Sequence, residues 1–550
     1  MSPLLQTLDL KTCLDHWQQQ CPEAIALADP LQCISYAELP RAIEQRIQYL
    51  SQHQSQRVAL ALDNSVEWVL WDLALLFSQR VNIPVPPFFT PTQCQHLIHT
   101  AGIDTWIGAH GEAFGFQAQP LETGATPLFT AEPESRPMLP SGTVKVTFTS
   151  GSSGTPKGVC LNLQSMLKVA RSLADIVHPT GVKRHLCGLP LATLLENIAG
   201  VYTPLLMGVQ VDLPGLEAFG WQGASGFNVQ VAAQCLSQYQ PDSLILVPQL
   251  LAQMLHTPEF PGLHETRFVA VGGAKVSPSL LTKAWDKGWP VHEGYGLSEA
   301  ASVVALNRPG ADCAGSVGQL LPHVEARINE SGELEVNGSL MLGYLGADSD
   351  TDLSESLSHK SSTATPMPEY WPTGDRAHFE GDHLIIDGRQ GDIFITAYGR
   401  NVDPGWVESE LTAEPEIAQA WVYGEACSSN TAIVVPNITV PNMTAPNVHP
   451  SPDQAAISAQ SSTLGPLKED IASAIKRVNL RLPDYAHIHD WRIAPPFTPE
   501  NGLLTANGRL RRQPLTRHFA DWLKAHDQTI CDQATCDQTD FDQESHDDTL

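Results

Sequence analysis

The chain has 550 residues, 42% of them hydrophobic, and its 60 acidic against 32 basic side chains give a net charge of −28. That length exceeds one ordinary core and predicts two or three domains. The acid excess argues against a nucleic-acid-binding surface as the main role, because such a surface needs clustered cations.

The N-terminal stretch MSPLLQTLDLKTC lacks the basic start and long apolar run of a signal peptide. Residues 23–110 alternate short apolar runs with amphipathic stretches. Val58–Leu62 reads as a buried strand. Asp63 and Asn64 stand where a cap is needed for the next helix, in which Val66, Leu70, Leu73 and Phe77 recur at helical spacing. Val81–Pro86 reads as the next strand, and the pattern returns at Ser243–Val247 and Arg267–Val271. Strands alternating with helices predict an α/β fold with a parallel sheet. The most apolar long stretch, Leu189–Val211, carries Glu196 and Asn197 and is broken by Pro204, so no membrane span is expected. Residues 346–367, rich in Ser, Thr and Asp, and 436–466, rich in Pro and Asn, read as loops or disorder. Residues 521–550 hold nine acids against Lys524, and the Asp-Gln repetition from 527 predicts a disordered, solvated tail. The eleven cysteines, an odd number scattered from Cys13 to Cys536, read as reduced usage in a cytoplasmic protein. Cys531 and Cys536 have no second pair to complete a zinc site.

The strongest chemical signal is VTFTSGSSGTPKG at 146–158. An apolar strand runs into Thr149, Ser150, Gly151, Ser152, Ser153, Gly154 and Thr155, followed by Lys157. Glycines let backbone N–H groups turn inward, hydroxyls add donors, and the lysine adds a point charge, which together suit a polyphosphate. It is not a Walker A loop, because Gly158 rather than Ser or Thr follows the lysine. Further along the chain come AVGGAK at 270–275, EGYGLSE at 293–299, YWPTGD at 370–375, GRQGDIFITAYGRNV at 388–402 and ENGLLTANGRLRR at 500–512.

In this order the six segments resemble the motifs of the adenylate-forming (AMP-binding) superfamily, which contains acyl-CoA synthetases, luciferases and peptide-synthetase adenylation domains. The wording is most similar to bacterial AMP-forming long-chain fatty acyl-CoA synthetases. ISYAEL at 34–39 fits as well, so the resemblance covers nearly the whole chain outside the tail. It implies a large N-terminal AMP-binding α/β domain over 1–388, a small mobile α+β swinging domain over 389–520 with an insertion at 436–466, and the tail at 521–550. By the resemblance, Thr149–Thr155 and Lys157 cradle the phosphates of ATP. Gly273 and Ala274 line the adenine pocket, with Glu293 and Gly296 in the neighbouring nucleotide motif. Tyr295 stacks on adenine, Ser298 touches the α-phosphate and Glu299 holds Mg²⁺. Asp375 and Arg389 take the ribose, Gly391 falls at the hinge, and Gly399 lies where the pantetheine arm of CoA passes. The implied reaction converts a carboxylic acid and ATP to acyl-AMP and pyrophosphate, then transfers the acyl group to CoA. Leu189–Ala192 resembles the substrate-side segment of the long-chain enzymes and points to a fatty acid.

Two positions depart from the pattern. Arg509 stands where the family has a catalytic lysine that neutralises carboxylate and phosphate as they approach; arginine keeps the charge but is larger, planar and forked. Thr193 stands where histidine is usual in the substrate segment. Two alternatives remain open from the sequence: a ligase that loads an acyl carrier protein, and an impaired homologue that binds nucleotide or acyl ligand without turnover.

Overall fold

The computed structural model describes residues 9–120, 126–150, 156–223, 226–258, 260–345, 368–397, 400–427, 429–437, 464–505 and 508–523, with the side chains of residues 150 and 464–466 excepted. The segments 346–367 and 438–463 and the tail from 524 lie outside them, as do Cys531 and Cys536. The chain divides into two compact units, Met1–Asp387 and Gly388–Leu550.

The first unit is built on two sheets. One begins with β1 (Arg57–Ala61), continues through helix α1 (Val66–Phe77) to β2 (Val81–Pro84), and adds the antiparallel pair β3 (Lys145–Ser150) and β4 (Pro156–Leu161). The other has a parallel core in which β5 (Arg184–Leu186), β6 (Ser243–Leu246), β7 (Phe268–Val271) and β8 (Val291–Leu297) lie side by side. β6 is buried at every position, as a strand covered on both faces must be. Beyond β8 the second sheet turns antiparallel, through β9 (Ser302–Leu306) and on to β11 (Trp371–Glu380) and β12 (His383–Arg389). A short strand, β10 (Gly343–Leu345), returns to the first sheet and pairs with β4.

Helix α1 is buried around nearly its whole circumference, which marks it as a core helix. Its cap differs from the sequence expectation. Ser65 is the N-cap and accepts from the Trp68 N–H at 3.2 Å. Asn64 is committed elsewhere: its amide donates to Leu189 O at 2.8 Å and its Oδ1 accepts from Leu191 N at 2.9 Å. Asp63 accepts from the backbone of Asn64 and Leu216. Asn64 therefore holds the substrate-like segment at 189–191 against the first sheet.

Between β3 and α1 lies a fully buried ion pair, with Lys145 Nζ 2.8 Å from Asp72 Oδ1. Asn82 and Tyr202 donate to the same carboxylate at 2.6 and 2.7 Å, and Asn197 bonds both members of the pair. Burial drives the Lys145 ammonium downward in pKa and Asp72 opposes it. A buried pair tolerates little motion, so the network locks α1, β2, β3 and the π-helical segment Glu196–Tyr202 to one another.

The second unit is α+β. β13 (Ile417–Tyr423) and β14 (Asn430–Pro436) are antiparallel, and β15 (Ile488–Ile493) joins β14 in parallel. α2 (Pro404–Thr412), capped by Asp403, and α3 (Leu464–Asn479) bury Val407, Leu411, Ile471 and Ile475 against this sheet. A second cluster joins Trp421, Phe497, Leu503, Phe519 and Leu523.

Candidate active site

β3 and β4 are in register so that Thr149 faces Lys157 and Ser150 faces Pro156. The hairpin thus delivers the glycine-rich loop from two adjacent strand ends. Gly151, Ser152, Ser153, Gly154 and Thr155 themselves lie outside the described residues, as does the Ser150 side chain. Lys157 is half-buried, its Nζ 5.9 Å from the centre of the Tyr344 ring, within cation–π reach. Tyr344 sits on β10, opposite Val159 of β4. Its hydroxyl donates to Glu299 Oε1 at 2.6 Å. One tyrosine therefore bridges the loop lysine and the candidate metal ligand. The tyrosine lies in none of the six motifs, and only its place on the strand beside β4 reveals it.

Glu299 lies in the turn Ser298–Ala300, which also contains Ser298. The chain leaves that turn through two non-glycine residues in the left-handed region, Ala301 at φ 54° and Ser302 at φ 100°. Such backbone persists only where its surroundings over-determine it. Here the Ser302 carbonyl is pressed against β8, and a Cβ on Gly296 would lie 1.9 Å from that oxygen. Glycine at 296 is thus explained by close backbone approach.

Tyr295, also on β8, donates a short hydrogen bond to Asp375 Oδ2 on β11. Asp375 is buried and its N–H donates to Thr373 Oγ1 at 3.1 Å. Two residues 80 apart in sequence are thereby joined in one unit. Gly273 and Ala274 lie exposed on the turn after β7. That turn folds over Glu293, whose Oε1 accepts from Val276 N at 3.3 Å while Oε2 has no hydrogen-bond partner among the described residues. Burial pushes the Glu293 carboxyl up to about 8, against the Val276 N–H and the charge of Lys275. At neutral pH this side chain is mostly protonated.

Thr193 lies between β5 and the π-helical segment, and its hydroxyl donates to Pro190 O at 2.6 Å within its own turn. A histidine at this place would project a ring where threonine closes a local hydrogen bond.

In the second unit, Arg389 ends β12 with an exposed side chain, and its carbonyl accepts from Asp392 N and Ile393 N, both at 3.0 Å. Gly391 stands exposed on this turn. Its φ is not in the left-handed region, and an added Cβ would meet nothing within 4 Å, so this conformation does not itself demand glycine. Gly399 lies outside the described residues. Arg509 is exposed at the end of a tight loop in which Thr505 N donates to Arg509 O at 2.7 Å and Arg509 N to Thr505 Oγ1 at 3.0 Å.

Arg512, three residues on, closes the 500–512 segment, but nothing in the sequence assigns it a role there. Its Nη1 and Nη2 donate to the two oxygens of Glu408 at 2.9 and 2.8 Å, and its Nε lies 3.1 Å from Asp392 Oδ2. Burial opposes both charges. Glu408 nevertheless raises the Arg512 pKa, whereas the Glu408 carboxyl stays raised by desolvation despite its partner. The fork-to-fork geometry is that of a strong, directional pair.

The AMP-binding enzyme family matches residues 14–345, and the AMP-binding enzyme C-terminal domain matches residues 391–528. The long-chain-fatty-acid–CoA ligase FadD15 of Mycobacterium tuberculosis is 28% identical over 424 residues, 69% of this chain and 68% of that protein. The 2-succinylbenzoate–CoA ligase of Bacillus subtilis is 24% identical over 446 residues, 74% of this chain and 83% of that protein. Among solved structures, o-succinylbenzoate CoA synthetase from Bacillus subtilis, in complex with its acyl-adenylate intermediate, matches with a TM-score of 0.65 at 20% identity, over 92% of this chain and 97% of that one. The anthranilate CoA ligase AuaEII in complex with anthranoyl-AMP gives 0.70 at 15% identity, over 94% and 100%. At these identities the structural likeness carries the fold alone. Motif order, family match and fold agree: the chain belongs to the AMP-binding, adenylate-forming enzyme family, as an AMP-forming ligase.

Proposed function

We propose that this protein activates an apolar carboxylic acid, a fatty acid first, as its acyl-AMP and passes the acyl group to CoA. The observation that carries the reading is the Tyr295–Asp375 hydrogen bond, which couples an aromatic face to a buried carboxylate beside the Lys157–Tyr344–Glu299 group. With its hydroxyl spent on Asp375, Tyr295 offers its ring to adenine, and Asp375 offers acceptors to the ribose hydroxyls. Glu299 suits Mg²⁺, because Tyr344 fixes the carboxylate through Oε1 and leaves the second oxygen for a hard cation. Mg²⁺, when bound, draws charge from the phosphates.

In the first half-reaction a carboxylate oxygen bonds to the α-phosphorus as the bond to the bridging oxygen of pyrophosphate breaks. Both reactants are anions, so Lys157 and Arg509 act by neutralising their approach. In the second, the CoA thiolate attacks the acyl carbon and AMP leaves with the bonding pair. The division into an AMP-binding domain to about 388 and a swinging domain to about 520 serves these two steps. The second domain turns about Gly391, the substrate segment around Thr193 borders the acyl chain, and Gly399 borders the pantetheine arm.

Fatty acid is favoured by the Leu189–Ala192 segment and the FadD15 likeness. An aryl acid is the second reading, favoured by the 2-succinylbenzoate ligase relative. Pyrophosphate release with ATP and a panel of fatty, aryl and amino acids decides between them. Adding CoA or an acyl carrier protein then identifies the acceptor by thioester formation. A flat pyrophosphate trace across the panel would sink the ligase reading.

A further inference from the structure

Three donors that the motifs do not use meet in the interior of the first unit. His185 on β5 and Cys187 just after it are two residues apart on an extended chain, so both side chains leave on the same face. Glu196 opens the π-helical segment, a rare local geometry frequent at functional sites. The three side chains are 4%, 0% and 0% exposed, and one ligand atom from each lies within 4.8 Å of the others.

The group is under-satisfied. No hydrogen bond of good geometry reaches either oxygen of Glu196 or Nε2 of His185 among the described residues; the carboxyl meets His185 at 3.6 Å and has weaker contacts to the Cys187 thiol and the Gly188 N–H. A buried carboxyl held by weak contacts alone is costly, and a core under no other demand would fill this place with an apolar side chain. His185 is also aimed. Its Nδ1 bonds Ser243 Oγ at 2.9 Å, which orients Nε2 toward the carboxylate in the manner of an outer partner of a metal-bound histidine. Glycine at 200 lets the backbone pass close to both donors. The point where a Gly200 Cβ would sit lies 2.8 Å from Glu196 Oε1 and 2.9 Å from His185 Nε2, so any larger residue would crowd both donors. The Cys187 thiol makes a long contact, 3.5 Å, to Gly200 O and also interacts with the Glu196 carboxyl.

We propose that His185 Nε2, Cys187 Sγ and a Glu196 oxygen bind one zinc-class divalent cation. One nitrogen, one sulfur and one oxygen form a borderline set that suits Zn²⁺ and is wrong for Mg²⁺ or Ca²⁺, which take oxygen ligands. Binding releases the Cys187 proton to solvent and leaves a fourth position for water. The cation clamps residues 188–195, including the Leu189–Thr193 segment, into a closed loop between its ligands. Its readouts are spectroscopic, so the site stands or falls independently of the ligase reading.

The test uses the full chain, stripped with a chelator, desalted and titrated with Co²⁺. The expected result is a near-ultraviolet thiolate-to-cobalt charge-transfer band with visible bands of tetrahedral intensity, saturating at one equivalent and displaced by Zn²⁺. Cys187→Ser should lose the near-ultraviolet band, while Glu196→Gln and Gly200→Ala should weaken binding by about tenfold or more. Absence of the band in the wild-type chain, or an unchanged band in Cys187→Ser, overturns the proposal. Should Cys187→Ser fail to fold by circular dichroism, X-ray absorption of the zinc-loaded wild-type chain decides. One sulfur with nitrogen and oxygen scatterers supports the site, and a shell without sulfur or with several sulfurs refutes it.

Discussion

Replacing Glu293 by Gln should stabilise the first unit, and the gain should grow with pH. The folded carboxyl, buried with one oxygen unpartnered, titrates near 8, against 4.5 for the ordinary group. A raised folded pKa means that the native chain holds a proton which the unfolded chain releases. The contribution is fully present below 4.5 and lost as pH rises toward 8. Glutamine keeps the neutral shape and has no such loss. Each pH unit inside this window is worth about 1.4 kcal/mol, so the gap between variant and wild type should widen by at most about 3 kcal/mol from about pH 5.5 to 7.5. The first unit spans Met1–Asp387. At about 2.1 cal/mol/K of unfolding entropy per residue, that is roughly 0.8 kcal/mol/K for the unit, so the Tm difference should grow by about 4 °C. Differential scanning calorimetry of both chains across this range, following the transition of the first unit, measures it. A Tm difference that stays constant with pH, or narrows as pH rises, refutes the assignment of Glu293 as a protonated buried acid.

Other substitutions test other links. Arg512→Met leaves Glu408 buried without its partner and should destabilise the second unit by about 3–5 kcal/mol; adding Glu408→Gln should recover much of the loss, read by chemical denaturation. Arg509→Ala should slow acyl-AMP formation by about 10²–10³-fold, whereas Arg509→Lys should match or exceed wild type in pyrophosphate release; unchanged rates in both would remove Arg509 from the chemistry. Gly391→Pro should spare pyrophosphate release and depress thioester formation, since it stiffens one peptide and touches no reacting group; equal losses in both half-reactions would argue against a hinge there.

What was legible in the sequence was local. The apolar run at 58–62 and the helical spacing from Val66 to Phe77 appear as β1 and α1 with small shifts at the ends, because burial on both faces of a strand and all round a helix leaves a plain pattern. The antiparallel arm that carries Asp375 was not visible. Its strands pair across long separations, and the Tyr295–Asp375 bond spans 80 residues. The N-cap was misread because Asp63 and Asn64 have cap chemistry, and only tertiary structure reveals that Asn64 is engaged at Leu189 and Leu191. Tyr344 and Arg512 were missed for the same reason: their roles lie in partners that are distant in sequence.

The Arg512 clasp governs the backbone just beyond Gly391. Asp392, one residue past that glycine, is tied through Arg512 to Glu408 on α2, and so to the body of the second unit. A lever transmits torque only if its arm does not flex where it meets the pin. On the hinge proposed at Gly391, the fixing of Asp392 to α2 would leave the turn to the residues before it. Arg509 lies three residues before the same clasp. Under the proposed mechanism, slack introduced at Arg512 would reach both the hinge and the Arg509 loop.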